Sequence, residues 1–92
     1  MTTIELDCRP TATGWNCSVR LVGPGATRTR HEVTVARADL ERLAPGASDP
    51  TDLVRRSFEF LLQREPPSSI LPSFDLTAIG RYFPEYESTI RG

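Results

Sequence analysis

The sequence predicts an α+β fold: a three-stranded antiparallel β-meander followed by two to three helices packed on one face. Three observations carry this. The first 36 residues hold three stretches of alternating apolar and polar residues, separated by turns containing Pro or Gly. Residues 53–62 then switch to helical spacing. Strand and helix signals are segregated along the chain rather than interleaved, which favours helices on one side of an antiparallel sheet over a parallel α/β arrangement.

The first strand is TIELDC, residues 3–8, with Ile4, Leu6 and Cys8 on one face and Glu5 and Asp7 on the other. Arg9 to Gly14 contains Pro10 and Gly14 and reads as a turn. WNCSVRLV, residues 15–22, puts Trp15, Cys17, Val19 and Leu21 inward and Asn16, Ser18 and Arg20 outward. After the loop Gly23-Pro24-Gly25-Ala26, RTRHEVTVA (28–36) places His31, Val33 and Val35 inward, with Arg28, Arg30, Glu32 and Thr34 opposite. A slip of one residue would expose a whole apolar set, so odd positions must face odd positions in the second hairpin. Arg20 opposite Glu32 joins unlike charges over a tip at Gly25-Ala26-Thr27, whereas Arg20 opposite Arg30 sets like charges together. The expected pair is therefore Arg20–Glu32.

A short helix is expected over 38–43, ended by Pro45-Gly46. Asp49-Pro50-Thr51-Asp52 is a helix start, with Asp49 as N-cap and Pro50 at the first helical position. That helix runs to about Arg64. Leu53, Val54, Phe58, Leu61 and Leu62 form its apolar stripe, small Ser57 lies inside it and Phe60 lies towards its edge. Pro66-Pro67 stops it, and Ser68 or Ser69 caps a single turn through Ile70 and Leu71. A last helix over 76–83, capped by Asp75, ends at Pro84 and leaves EYESTIRG as a tail.

With 92 residues the chain makes one domain, 1–92, with a single small core. Its net charge of −1 sets up no global field towards nucleic acid or an anionic membrane. All eleven basic residues are Arg, beside frequent Ala, Gly and Pro, a composition that points to a GC-rich bacterial genome. No apolar run suffices for a membrane span, and MTTIELDCRP has neither the basic nor the apolar region of a signal peptide. The expected location is cytoplasmic, without membrane contact. There, Cys8 and Cys17 are expected as two small buried thiols; their shared inward face on adjacent strands leaves a disulfide geometrically open.

Catalytic and metal chemistry find little support. His31 is the single His and has no partner set with metal-ligand spacing, so it reads as a packed or edge-exposed strand histidine. No Ser or Cys sits in a nucleophile motif, and GPGA lacks the residues of a phosphate-cradling loop. Asn16-Cys17-Ser18 matches a glycosylation acceptor only formally, lying within a strand. Asp7, Glu32 and Asp75 would have to be gathered by folding to form a carboxylate site. Neither catalytic residues nor a cofactor or metal is expected.

The segments SFEFLLQREP, SIL and FDLTAIGRYFPEYE, together with HEVTVARADLERL, resemble a small uncharacterised family of bacterial proteins across roughly residues 31–87. That resemblance implies no activity, cofactor or partner. The strand-strand-strand-helix order is also similar to that of small antitoxin domains of the HicB type, an analogy of order alone. The expected function is a non-enzymatic protein-interaction or regulatory domain that associates with itself as a homodimer or with another protein. Its expected contact surface is Phe60, Arg81, Tyr82, Phe83 and Tyr86, a cluster that closing the core would explain equally well. The alternative is an antitoxin-like nucleic-acid-binding module using Arg20, Arg28 and Arg30 on the sheet face, which lacks stacking aromatics.

Overall fold

The computed structural model of the chain describes residues 2–91, apart from the Ala26 side chain. Strands β1 (Thr3–Pro10), β2 (Gly14–Val22) and β3 (Arg28–Ala36) form the expected antiparallel meander. The fold class is α+β, but the sheet has a fourth strand. β4 (Ser73–Asp75) lies parallel to β3, giving a mixed sheet in the order β1-β2-β3-β4. The helices are α1 (Arg37–Leu43), α2 (Thr51–Leu62), α3 (Ala78–Tyr82) and α4 (Tyr86–Arg91), with single 3-10 turns at Pro24–Ala26 and Pro67–Ser69.

Alternation in β2 and β3 behaves as expected: Trp15, Cys17, Val19, Leu21, His31, Val33 and Val35 are all buried. Leu40 and Leu43 of α1, Leu53, Val54, Phe58 and Leu61 of α2, and Ile70, Leu76, Ile79, Tyr86 and Ile90 from the C-terminal third join them in the core. Phe60 is also buried, which corrects its placement at the stripe edge. α2 begins at Thr51 rather than Pro50. Asp49 still satisfies its first turn, because its Oδ1 accepts the Thr51 N–H at 2.9 Å. That bond and one from the Thr51 side chain hold the Asp49 carboxyl below its ordinary value. Buried Pro50 accepts the Val54 N–H through its carbonyl at 2.8 Å.

The hairpin register differs from expectation. Arg20 faces Arg30, and Glu32 faces Ser18. Parity is kept, so the core face is unchanged; only the tip is longer. Residues 23–27 close through the Gly23 N–H to the Thr27 carbonyl at 2.8 Å. Pro24 opens the 3-10 turn, and Gly25 takes the left-handed region at φ 68°, which glycine adopts without a Cβ penalty. The counter-charge for Arg20 comes from outside this hairpin. Glu5 stands opposite Arg20 on its other side, with a 3.5 Å ion pair, and supplies the counter-charge that Glu32 does not.

Cys8 and Cys17 face each other across β1 and β2 and form a disulfide, with Cα atoms 4.0 Å apart. The expectation of free thiols is therefore corrected. It rested on compartment alone, whereas the strand register brings the two Cβ atoms within bonding reach.

The C-terminal third departs furthest. The helix expected over 76–83 shortens to α3, Ala78–Tyr82, and the residues before it form β4, held where the Glu32 N–H meets the Pro72 carbonyl and the Leu76 N–H meets the Thr34 carbonyl, each at 2.9 Å. Asp75 belongs to β4 and caps the following turn, accepting the Thr77 N–H at 3.1 Å. The expected tail is α4, whose Tyr86 and Ile90 are buried; its last residue, Gly92, lies outside the described residues.

Candidate functional site

Ser57 is the small gap in the α2 stripe, and Tyr86 fills it. Ser57 Oγ donates to the Leu53 carbonyl at 2.7 Å, and the Tyr86 hydroxyl donates to Ser57 Oγ at 2.6 Å. Burial pushes the Tyr86 phenol up to about 12. Phe60 stacks edge-on with Tyr86 at 5.3 Å and with Phe83 at 5.8 Å between centroids, and the Arg64 guanidinium covers its ring at 3.6 Å. Phe60 and Tyr86 are thus internal, and two of the five residues expected at a partner surface do not reach it. The physical reason is α4: it turns the chain back so that Tyr86 points into the core.

Tyr82 and Leu71 remain outside, 68% and 45% exposed, the large hydrophobics left exposed among the described residues. They flank one groove of about 330 Å³. Leu61 of α2, Ile70, Phe74 of β4, Ile79 of α3 and half-buried Phe83 line it, with Glu65 and Ser69 as its polar part. Arg81 is exposed beside Tyr82. Of the expected surface, then, Tyr82 and Phe83 meet at the groove and Arg81 flanks it. The Leu71 side was missed. SILPSF carried a signal, apolar residues spaced around Pro72 in a segment too short for a helix, but no local rule says what such residues border.

His31 builds that side. Its Nδ1 is hydrogen-bonded to the Leu71 carbonyl at 2.7 Å and its Nε2 to Thr29 Oγ1 at 2.9 Å. The ring packs 5.6 Å from Phe58, which in turn lies 6.0 Å from Phe74. The single histidine is thus a packed strut that ties the Leu71 segment to the sheet. Asp75 ties β4 from the other side: burial opposes its ionisation, but hydrogen bonds from Thr77 and from Thr34 at 2.9 Å outweigh this and hold the carboxyl below its usual value.

On the opposite face, Arg20, Arg28 and Arg30 do come together. They line a shallow depression of about 540 Å³ beside the hairpin tip, together with Glu5. Arg28 and Arg30 make no ion pair among the described residues. The rest of this face, Asn16, Ser18, Glu32 and Thr34, carries no aromatic ring. Asp7 and Glu32 both flank Ser18, two strands apart, on the order of 10 Å. Asp75 lies beside Thr34, so the three carboxylates are not gathered at one point. Glu32 Oε2 is buried without a hydrogen-bond partner. Among the described residues no group of three His, Cys, Asp or Glu side chains is arranged to hold a metal ion, and no helix is long and apolar enough to cross a membrane.

No protein-family model matches the chain, and no curated protein or solved structure matches it. What the domain does is therefore read from its own geometry.

Proposed function

We propose that this is a non-enzymatic protein-interaction domain whose groove takes an apolar segment of a partner protein. One observation carries the reading: the exposed large hydrophobics, Leu71 and Tyr82, flank the same apolar groove. Its volume suits one or two apolar side chains rather than a large cofactor. Glu65 is the one charged residue lining it and makes no ion pair among the described residues, so the segment that fits carries a basic residue next to its apolar anchor. Tyr82 has the composition of an anchoring contact. Selection from a random peptide library tests this. Binders should share an apolar anchor flanked by Arg or Lys, and Tyr82→Ala or Leu71→Ser should weaken them by about tenfold or more. Peptides indifferent to both substitutions would refute the groove.

A second reading has its own observation: Arg20, Arg28 and Arg30 converge with Glu5 as the nearest counter-charge. It makes the domain an antitoxin-like nucleic-acid module. Binding of single- or double-stranded nucleic acid that falls steeply with salt and is lost in Arg28→Ala with Arg30→Ala supports it; no binding at low salt dismisses it. A cytoplasmic place of action and a bacterial source belong to the proposal. In the cytoplasm the Cys8–Cys17 bridge would meet a reducing glutathione pool, so the working form there includes the dithiol.

A further inference from the structure

β1 is an open sheet edge, and its free backbone groups can be assigned. The Gly23 N–H bonds the Thr27 carbonyl, so odd-numbered residues of β2 bond towards β3 and even-numbered ones towards β1. Facing the even set, Thr3, Glu5, Asp7 and Arg9 turn their N–H and C=O groups to β2, while Ile4, Leu6, Cys8 and Pro10 turn theirs to the edge. Two further observations agree. The 4.0 Å Cα spacing of Cys8 and Cys17 is that of a closely spaced pair not bonded to each other, and Arg55 reaches the Ile4 carbonyl at 3.0 Å.

The edge is blocked at its ends and open in the middle. Arg55 occupies the Ile4 carbonyl, and Pro10 has no N–H. Leu6 and Cys8 between them offer both groups. Their side chains, with Ile4, are only partly buried although packed on the core, leaving an apolar strip along the same edge. Long open edges invite indiscriminate pairing, whereas blocked ends select a register.

We propose that this edge pairs antiparallel with the same edge of a second copy of the chain, with Asp7 on the two-fold axis. In that register Leu6 opposes Cys8 of the second copy, and each such pair exchanges both N–H···O bonds. Ile4 opposes Pro10, so the donor that proline lacks falls opposite a carbonyl already held by Arg55. On the outer face Glu5 opposes Arg9 twice, in the closely spaced positions where opposite charges attract. Asp7 meets Asp7 of the second copy at the axis, each beside its own Arg9 at 3.6 Å. Centring on Leu6 would instead set Glu5 against Asp7 twice. Centring on Cys8 would put Leu6 opposite Pro10 and forfeit ladder bonds. The surface is separate from the groove and does not rest on it.

Sedimentation equilibrium of the full chain with its disulfide intact tests the pairing. A reversible monomer–dimer equilibrium is expected. Arg9→Glu should weaken it by about tenfold or more, and Asp7→Asn, which removes the like charges at the axis, should tighten it several-fold. Both side chains are mostly exposed, 84% and 74%, so circular dichroism should show the fold unchanged. Tyr82→Ala should leave the equilibrium unaltered. A monomer at every concentration overturns the proposal, as does an Asp7→Asn variant no tighter than the parent, or a dimer that Tyr82→Ala abolishes and Arg9→Glu does not.

Discussion

Tyr86 shows how one residue can be read two ways until its neighbours are known. In the sequence it stands among Arg81, Tyr82 and Phe83, with interface composition; in the fold its hydroxyl meets Ser57 inside the core. That placement has a pH signature. The folded phenol titrates near 12 against 10.0 unperturbed, so its contribution is fully present below pH 10 and is lost as pH rises towards 12. Denaturant titrations across this window should show about 2–3 kcal/mol lost. Tyr86→Phe should cost about 1 kcal/mol at neutral pH, through the donor withdrawn from Ser57, and should lose less than the parent above pH 10. His31 was readable as a packed residue, because a lone histidine on an apolar strand face has no chemistry to share; its grip on Leu71 lies 40 residues away and leaves no local trace.

At the scale of the element, β2 begins where no side chain fits. A Cβ on Gly14 would stand 2.0 Å from the Val35 carbonyl oxygen and 2.9 Å from the Ala36 Cα, and both obstacles are backbone. The Arg37 N–H also meets the Thr13 carbonyl at 3.1 Å, so the β1–β2 turn seats the end of β3. Gly14→Ala should therefore cost about 3 kcal/mol, measured by chemical denaturation, although the glycine's place in the sequence suggests only a turn. β1, β2, β3 and α2 were legible because each declares its period over several residues. β4 spans Ser73–Asp75, too few to show one, and exists because β3 offers an edge. The register slipped for a related reason. Charge pairing within one hairpin is worth tenths of a kcal/mol, less than the loop conformation that Pro24 and Gly25 prefer.

For the whole molecule the disulfide matters most, since so small a core leaves little margin. The bridge joins residues with a sequence separation of 9, and closing a loop of that length restricts the unfolded chain by about 2–3 kcal/mol. Reductant should lower the denaturation free energy by that amount without abolishing the fold, because the core around buried Cys17 is built from many residues besides the bridge. The helical layer leaves two apolar surfaces uncovered: the groove between Leu71 and Tyr82, and the middle of the β1 edge.

By itself the sequence determined the α+β class, the inward face of every long strand and the apolar stripe of α2. Those follow from periodicity and local bonding, which act within a few residues. Only the tertiary structure decided the rest: the β4 addition, the Cys8–Cys17 bridge, the burial of Phe60 and Tyr86, and the meeting of Leu71 with Tyr82. Each depends on contacts between segments distant in the chain or on a strand register, and no short window of sequence contains both partners.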